Sequence, residues 1–409
     1  MDFFALGTAI IAAVALGIAA TATACAAVFR ARMLIPREVP GVPVTLVLAA
    51  TGPLPGLENL FDALLGQTLR PARLIVAVES RDDPAHDRVE ALTARYPALP
   101  IELVVAGISD ERAQKCTNIL GALARLRPAD SYIVVIDADI RPQAWWLAAL
   151  IAPLAAGRAD IVNGYRWQAP QTVSLATVIG ATIERAIATL PRLDRFQLLW
   201  GGSLALTRQA LDRIDMPATL AHAVSEDLVI ADRAAALGLC VLTRRGLRVP
   251  TPLGDNLATL WRFGRRQYQI THVYRPAAWW FAAAVTAADG AARVGLVVAA
   301  SALDPIALGA LIALGVLGTL TTGLRRAIGR RLGVADPAGF ALAQHLLVWA
   351  TLPLAAFHAG LVWAAAVRSP VTWAHVRYSV RGGRVVGASR QPTRPVQPGL
   401  RATSRSSNE

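Results

Sequence analysis

The sequence predicts an α/β fold, a mostly parallel sheet flanked by helices and set between apolar segments at both ends of the chain. Three observations carry that expectation. Of the 409 residues 54% are apolar, more than an ordinary soluble chain holds, and the surplus sits at the two ends. Between them, residues 44–249 alternate short apolar runs with stretches of helical periodicity. One of those runs ends in Asp137-Ala138-Asp139, two carboxylates separated by one small residue.

Residues 3–29 carry no charge, which is enough helix to cross a hydrocarbon core of about 30 Å. A cleaved signal peptide is the rival reading, given the small residues around Cys25. It fails because only Asp2 precedes the run, where a basic segment is required, and because the run is too long. Residues 1–30 therefore read as a transmembrane helix. Arg30, Arg32 and Arg37 follow it, so the positive-inside rule puts the next part of the chain in the cytoplasm. There, residues 44–48, 74–78, 101–105, 132–136 and 160–163 read as strands, with helices at 57–69, 87–96, 113–126 and 144–155. Such alternation places a ligand crevice at the carboxyl ends of the strands, and Asp137 falls there. This domain is expected to span residues 31–254.

Residues 257–274 are rich in Trp, Phe, Arg and Tyr and suit a helix lying in the membrane interface, within a segment 255–276. Residues 277–303, 305–324 and 340–367 are candidate membrane segments, forming a region 277–367. Asp289 and Arg293 in the first can pair at i,i+4 spacing. Three simple crossings would leave the arginine-rich tail from Arg368 on the wrong side for the positive-inside rule. The segment 340–367 is therefore expected to be broken or re-entrant, because it is long, has Pro353 near its centre and contains Gln344, His345 and His358. Residues 368–409 read as a basic cytosolic tail whose end, 391–409, is polar and disordered. The expected location is an integral membrane protein of a bacterial inner membrane with its catalytic domain in the cytoplasm.

The net charge of +13 rests on forty arginines and one lysine, Lys115. It lies mostly beside apolar segments and in the tail, which suits lipid headgroups and phosphates. No basic stripe interleaved with aromatics points to nucleic acid. Cys25, Cys116 and Cys240 form neither a disulfide framework nor a zinc site and read as small buried hydrophobes.

Asp137 and Asp139 at a strand end are hard oxygen donors, suited to Mg²⁺ or Mn²⁺ held jointly with a phosphate. Taken alone the triplet is equally a solvated turn, so its neighbours decide. Ser225-Glu226-Asp227 opens a helical stretch, 228–237. An acid there caps the helix, or one carboxylate accepts the proton of an attacking hydroxyl. Lys115 is a compact point charge useful beside a diphosphate, or a residue of a solvated helix face. The run 261–268, Trp-Arg-Phe-Gly-Arg-Arg-Gln-Tyr, is an interfacial anchor, a source of cations for a leaving diphosphate, or both. Trp200-Gly201-Gly202-Ser203 lets backbone approach a ligand closely, or is a plain tight turn. Glu79-Ser80-Arg81-Asp82-Asp83-Pro84 follows the second strand, on the same edge as Asp137 or as a solvated loop.

This combination resembles the membrane-bound family 2 and family 21 glycosyltransferases, in particular the ceramide glucosyltransferase-like branch. The likeness runs through 44–274 and resumes at Trp373-Ala374-His375-Val376-Arg377-Tyr378 and Arg381-Gly382-Gly383. It implies a GT-A, Rossmann-like fold, a nucleotide-sugar donor that is usually UDP-linked, a divalent cation (Mg²⁺ or Mn²⁺) and a lipid hydroxyl acceptor. By motif, Asp137 and Asp139 would hold nucleotide and metal, Asp227 would be the general base, and Lys115 with Asn118 would match a Lys-x-x-Asn beside the donor. Gly201, Gly202, Glu226 and Gln267 would fall on the acceptor side. The reaction implied is a single inverting displacement.

Two departures from the family pattern stand out. The first acid, which contacts the nucleotide base, falls on Ser80, so Glu79 or Asp82 would substitute. The Gln/Arg-x-x-Arg-Trp motif becomes Arg262-Phe263-Gly264-Arg265-Arg266, or in an alternative register ends at Arg266-Gln267; either way its tryptophan is missing. A polysaccharide synthase is a weaker enzymatic rival, since few membrane segments remain to build a channel. A non-catalytic membrane scaffold that binds nucleotide-sugar or lipid is the rival from another class.

Overall fold

The computed structural model describes residues 3–191, 199–367 and 370–391; the expected polar end of the tail, beyond Gln391, lies outside them. In chain order come α1 (Phe3–Ala31), β1 (Thr45–Ala49), α2 (Leu57–Leu65), β2 (Arg73–Val78), α3 (Pro84–Arg95), β3 (Ile101–Val105), α4 (Gln114–Leu123), β4 (Tyr132–Ile136) and α5 (Trp146–Ala155). They are followed by β5 (Ile161–Pro170), α6 (Leu175–Thr189), β6 (Ser203–Thr207), α7 (Arg208–Ile214), α8 (Met216–Thr219), α9 (Glu226–Ala236), β7 (Val241–Leu253) and α10 (Leu257–Tyr274). The last part holds α11 (Pro276–Ser301), α12 (Pro305–Arg331), α13 (Phe340–Ala350), α14 (Leu352–Ala364), β8 (Val371–Trp373), β9 (Val376–Arg381) and β10 (Arg384–Arg390).

The α/β expectation holds. Seven strands form one sheet in the order β3-β2-β1-β4-β6-β5-β7, parallel except where β6 runs against both its neighbours. Side chains alternate across it with period two. Leu46, Leu48, Val76, Val134 and Ile136 pack on one face with α2 and α5, and Val47, Ile75, Ala77, Ile133 and Val135 on the other with α4 and α9. Both faces are covered, as a parallel sheet requires, and each fully buried aliphatic contributes about 1.5–3 kcal/mol.

Two strand features position the site. Because β6 is antiparallel, its start rather than its end lies at the carboxyl edge of β4, with Ser203 opposite Ile136. The Trp200-Gly201-Gly202 turn is thereby set against Asp137. Strand β5 does not stop at Asn163 as expected. Its register against β7 shifts between Asn163 and Tyr165, a bulge at Gly164, and the strand continues to Pro170. Gly164 is required there, since a Cβ would stand 2.4 Å from the Ser203 Oγ.

Helices α1, α11 and α12 are long and apolar enough to cross a membrane, and α13 and α14 form a pair bent by 83°. The break falls at Thr351, in a positive-φ conformation, with Pro353 in the first turn of α14, where a missing N–H costs nothing. The expected Asp289–Arg293 pair forms at 2.9 Å, and Arg293 also donates to the Thr351 hydroxyl at 2.5 Å.

The C-terminal strands decide the path of the bent pair. Residues 371–390, placed from sequence in a basic tail although 373–378 and 381–383 carry the family resemblance, fold as a three-stranded sheet in the order β10-β9-β8. Val371, Val376, Tyr378 and Val385 join the apolar cluster beneath α4 and α9. The Tyr378 hydroxyl accepts from the Gln114 amide at 2.9 Å, and the Val385 amide donates to the His222 carbonyl at 2.9 Å. The chain thus returns to the sheet domain after α14. The chain before the bent pair also lies against the sheet domain, where the Leu332 carbonyl accepts from Gln143 at 3.1 Å, so both flanks of the pair lie on that side. Among the cysteines, Cys116 is buried as expected, whereas Cys240 is exposed.

Candidate active site

A cavity of about 350 Å³ opens at the carboxyl edge of the sheet. Its walls come from the ends of β1 and β4, the starts of α4 and α9, the middle of α10, and β8. Asp137, Asp139, Lys115, Glu226, Asp227, Arg266 and Gln267 all line it, so residues spread over a hundred and fifty positions of sequence converge here.

Lys115 is the hub. Its ammonium contacts Asp137 Oδ1 and Glu226 Oε1, each at 2.6 Å. It is not on a solvated helix face: the side chain is only 13% exposed. Burial opposes the ammonium charge, but Asp137 and then Glu226 overcome it and hold the lysine above its usual pKa. Burial also drives Glu226 up to about 7, with Lys115 opposing and Asp227 and Asp137 reinforcing the rise. Two contacts at 2.6 Å make the charged lysine the firmer of these two directions.

The glycines back this hub. A Cβ on Gly201 would meet Glu226 Oε1 at 1.9 Å, and one on Gly202 would meet the Trp200 ring at 2.3 Å and Asp137 Oδ2 at 2.6 Å. Both leave room for the carboxylates that grip Lys115. Gly201→Ala is expected to displace Glu226 from Lys115 and to lower stability by a few kcal/mol at most, which thermal unfolding checks.

Asp227 occupies the first turn of α9. Its Oδ1 accepts from the Leu228 amide at 2.8 Å and from the Ser225 hydroxyl. The loop before it is clamped by the Tyr274 hydroxyl, which accepts from the Val224 amide at 3.0 Å and donates to the Gly383 carbonyl at 2.7 Å. Asp139 is water-accessible yet enclosed by the concave walls of the cavity. That enclosure, then the charge of Asp137, push its carboxyl up to about 6, with Arg166 opposing. No cation forms an ion pair with Asp139 among the described residues.

Helix α10 decides the arginine register. Phe263, Arg266, Gln267 and Ile270 follow i, i+3, i+4, i+7 spacing and share the cavity face. Arg265 is turned away, with its Nε donating to the Ala364 carbonyl at 3.1 Å, and Arg262 is exposed and bonds Thr259 at 3.1 Å. Arg266 has no acid partner among the described residues, and its Nε has no hydrogen-bond acceptor. Burial, and then the like charge of Arg166, bring it down to about 10.

Three further expected residues fall outside the cavity wall. Asn118 is fully buried and donates to the Ala50 carbonyl at 2.9 Å and the Thr51 hydroxyl at 3.3 Å, fixing the loop after β1. Glu79 is buried and contacts His375 at 3.0 Å. Asp82 is exposed and does not line the cavity. It is Asp83 that works locally, capping α3 and accepting from the Gly52 amide at 2.8 Å.

Sequence reasoning missed Arg166, and it named Trp373 within the resemblance without placing it at the site. Arg166 lies on β5 beyond the Gly164 bulge, pairs with Glu184 at 2.9 Å, donates to Gln267 at 3.0 Å, and stands 4.9 Å from the Phe263 ring centre. Trp373 on β8 lies 5.5 Å from the Lys115 ammonium and 5.0 Å from the Arg266 guanidinium. An aromatic from the C-terminal strands thus faces Arg266, whose own motif lacks its tryptophan.

A search of curated proteins gives no match. Among solved structures, the mannosyltransferase PcManGT from Pyrobaculum calidifontis, in complex with GDP-Man and Mn²⁺, is similar over 82% of this chain and 98% of its own, at 16% identity and a TM-score of 0.47. Glucosyl-3-phosphoglycerate synthase from Mycobacterium tuberculosis, in complex with Mn²⁺, UDP-glucose and phosphoglyceric acid, is similar over 55% of this chain and 77% of its own, at 19% identity and a TM-score of 0.36. The family model for glycosyl transferase family 21 matches residues 7–386, nearly the whole length from α1 to β10, and the chain belongs to that family.

Proposed function

We propose that this glycosyltransferase moves a sugar from a nucleotide-sugar, UDP-linked, to the hydroxyl of a membrane lipid by one inverting displacement at the cytoplasmic face. One observation carries the reading: Arg266, without an acid partner, and Arg166 stand across a single cavity from two carboxylates, of which only Asp137 has a cation. That arrangement fits a diphosphate bridged by a divalent cation, because the guanidiniums match phosphate oxygens and the carboxylates match a hard metal.

Asp139 and Asp137 would hold Mg²⁺ or Mn²⁺, a fit supported by the raised carboxyl of Asp139 and its lack of an ion-pair partner. When bound, the cation neutralises charge on the diphosphate. Arg266 and Arg166 place fixed positive charge where the leaving group gains negative charge. Lys115 holds Asp137 in one position. The carboxylate of Asp227 takes the proton of the lipid hydroxyl, and the freed oxygen attacks the anomeric carbon as the bond to the diphosphate breaks. A side recess of about 130 Å³ runs from Asp139 and Arg166 to Leu260 and Phe263 of α10, and supports delivery of the acceptor from the interfacial helix.

The test is to incubate purified protein in lipid with a panel of radiolabelled nucleotide-sugars, Mn²⁺ or Mg²⁺ and a broad lipid extract. Label that partitions with lipid, only with metal present, supports the reading. Nucleotide binding without transfer from any donor replaces it with the scaffold reading. Mn²⁺ should also raise the unfolding temperature of the protein, and Asp139→Asn should abolish that rise. Because a proton competes for the raised Asp139 carboxyl, Mn²⁺ affinity should fall as pH drops through about 6.

A further inference from the structure

A second cavity, of about 250 Å³, lies within the helical region between α1, α6, α11, α12 and α14, and shares no residue with the active-site cavity. Most of its lining is apolar, and almost every polar group in it is already satisfied. Arg293 is paired with Asp289, Thr321 donates to the Leu317 carbonyl, and the His358 Nε2 meets the Tyr268 hydroxyl at 2.6 Å. Arg325 is the exception. It is 6% exposed, its Nε has no acceptor, and no carboxylate pairs with it among the described residues. The nearby acid, Asp336, is taken by Arg185 at 2.5 Å and also approached by Arg326 at 3.8 Å. Arg185 adds like charge to the surroundings of Arg325 rather than relieving it.

A buried guanidinium without a counter-charge is strongly unfavourable, and within a membrane region such a residue marks a ligand or a pathway. Depth identifies the ligand's form. Arg325 lies six residues before the end of α12, about 9 Å along the axis, beside the arginines 326, 330 and 331 that mark the headgroup level. Asp289 lies thirteen residues into α11, about 20 Å deep, so the cavity extends from headgroup level toward the middle of the bilayer. Its volume is below the roughly 300–1,000 Å³ that encloses a whole drug-sized ligand, and suits a headgroup with the first part of one chain.

We propose that this cavity binds a lipid with an anionic phosphate or carboxylate headgroup, paired to Arg325, with its chain running between Ile18 and Ala22 of α1 and Leu314 and Gly318 of α12. The lipid is an accessory ligand, and the site does not depend on the sugar-transfer reading.

The experiment places wild type, Arg325→Met and Arg330→Gln in nanodiscs of phosphatidylcholine with and without phosphatidylglycerol. Unfolding temperature and lipid retained in native mass spectrometry are measured. Wild type and Arg330→Gln should retain phosphatidylglycerol in preference to phosphatidylcholine and unfold later with it. Arg325→Met should lose both effects, yet unfold no earlier than wild type in pure phosphatidylcholine, because the unpaired charge is gone. Equal retention by wild type and Arg325→Met overturns the proposal. So does the same stabilisation of wild type by inorganic phosphate alone, which would assign the site to a free anion. Should Arg325→Met fail to assemble, the wild-type preference decides, and no selectivity for the anionic lipid overturns it.

Discussion

Replacing Asp227 with asparagine is expected to lower turnover about 10²- to 10⁴-fold, the range that a positioned general base contributes. The substitution keeps the size of the side chain and an oxygen to accept from the Leu228 amide and the Ser225 hydroxyl, so α9 should still start at Glu226. What it removes is the capacity to take a proton. Nucleotide affinity in the presence of Mn²⁺ should stay within about threefold, because Asp227 is not part of the Lys115 ion-pair group and a loss confined to the transition state appears in kcat. Steady-state kinetics on the lipid product, with calorimetry of nucleotide binding on the same preparation, separate the two. Equal turnover in wild type and variant would remove Asp227 from the mechanism. Glu226 makes the contrast informative. One residue earlier on the same helix turn, it lines the same cavity but is 1% exposed and held by Lys115 at 2.6 Å, so Glu226→Gln is expected to act through the position of Lys115 where Asp227→Asn acts on turnover.

The part of the fold governed by local periodicity was legible: β1 to β4 and the helices between them follow runs of apolar residues, and Asp137 falls at the end of β4 as the run's boundary implies. Non-local pairing was harder to read. Nothing in residues 203–207 says that the strand runs antiparallel, yet that reversal is what brings Gly201 and Gly202 to the site. The strand expected over 160–163 continues past Gly164, which marks a bulge, and the continuation carries Arg166 into the cavity. Register on α10 was decidable from helical spacing alone, since positions 263, 266, 267 and 270 share a face that excludes 262 and 265. Residues 371–390 look like a basic tail because arginines recur through them, yet Val376, Tyr378 and Val380 alternate with polar residues and Gly382-Gly383 precedes Val385, a local hairpin pattern. What no local window contains is where the hairpin docks, on the cluster under α4 and α9.

Lys115 is where stability and function are coupled most tightly, and Lys115→Met is expected to cost about 3–5 kcal/mol of folding stability, the penalty for breaking a buried ion pair. The variant would leave Glu226, 1% exposed, and Asp137 facing each other with no counter-charge. Adding Glu226→Gln should restore most of that stability, since a neutral pair needs no ammonium, while nucleotide binding stays lost because Asp137 is no longer held. Lys115→Arg should weaken nucleotide binding as well, because a planar guanidinium on a longer side chain cannot reproduce the two 2.6 Å contacts that the compact ammonium makes with Asp137 and Glu226. The single lysine among forty-one basic side chains thus sits where a compact charge contacts two carboxylates at once. Unfolding of wild type, Lys115→Met, Glu226→Gln and the double variant in the same detergent gives the cycle. If Lys115→Met is as stable as wild type, or Lys115→Arg binds nucleotide as tightly, the ion-pair group does not organise the site.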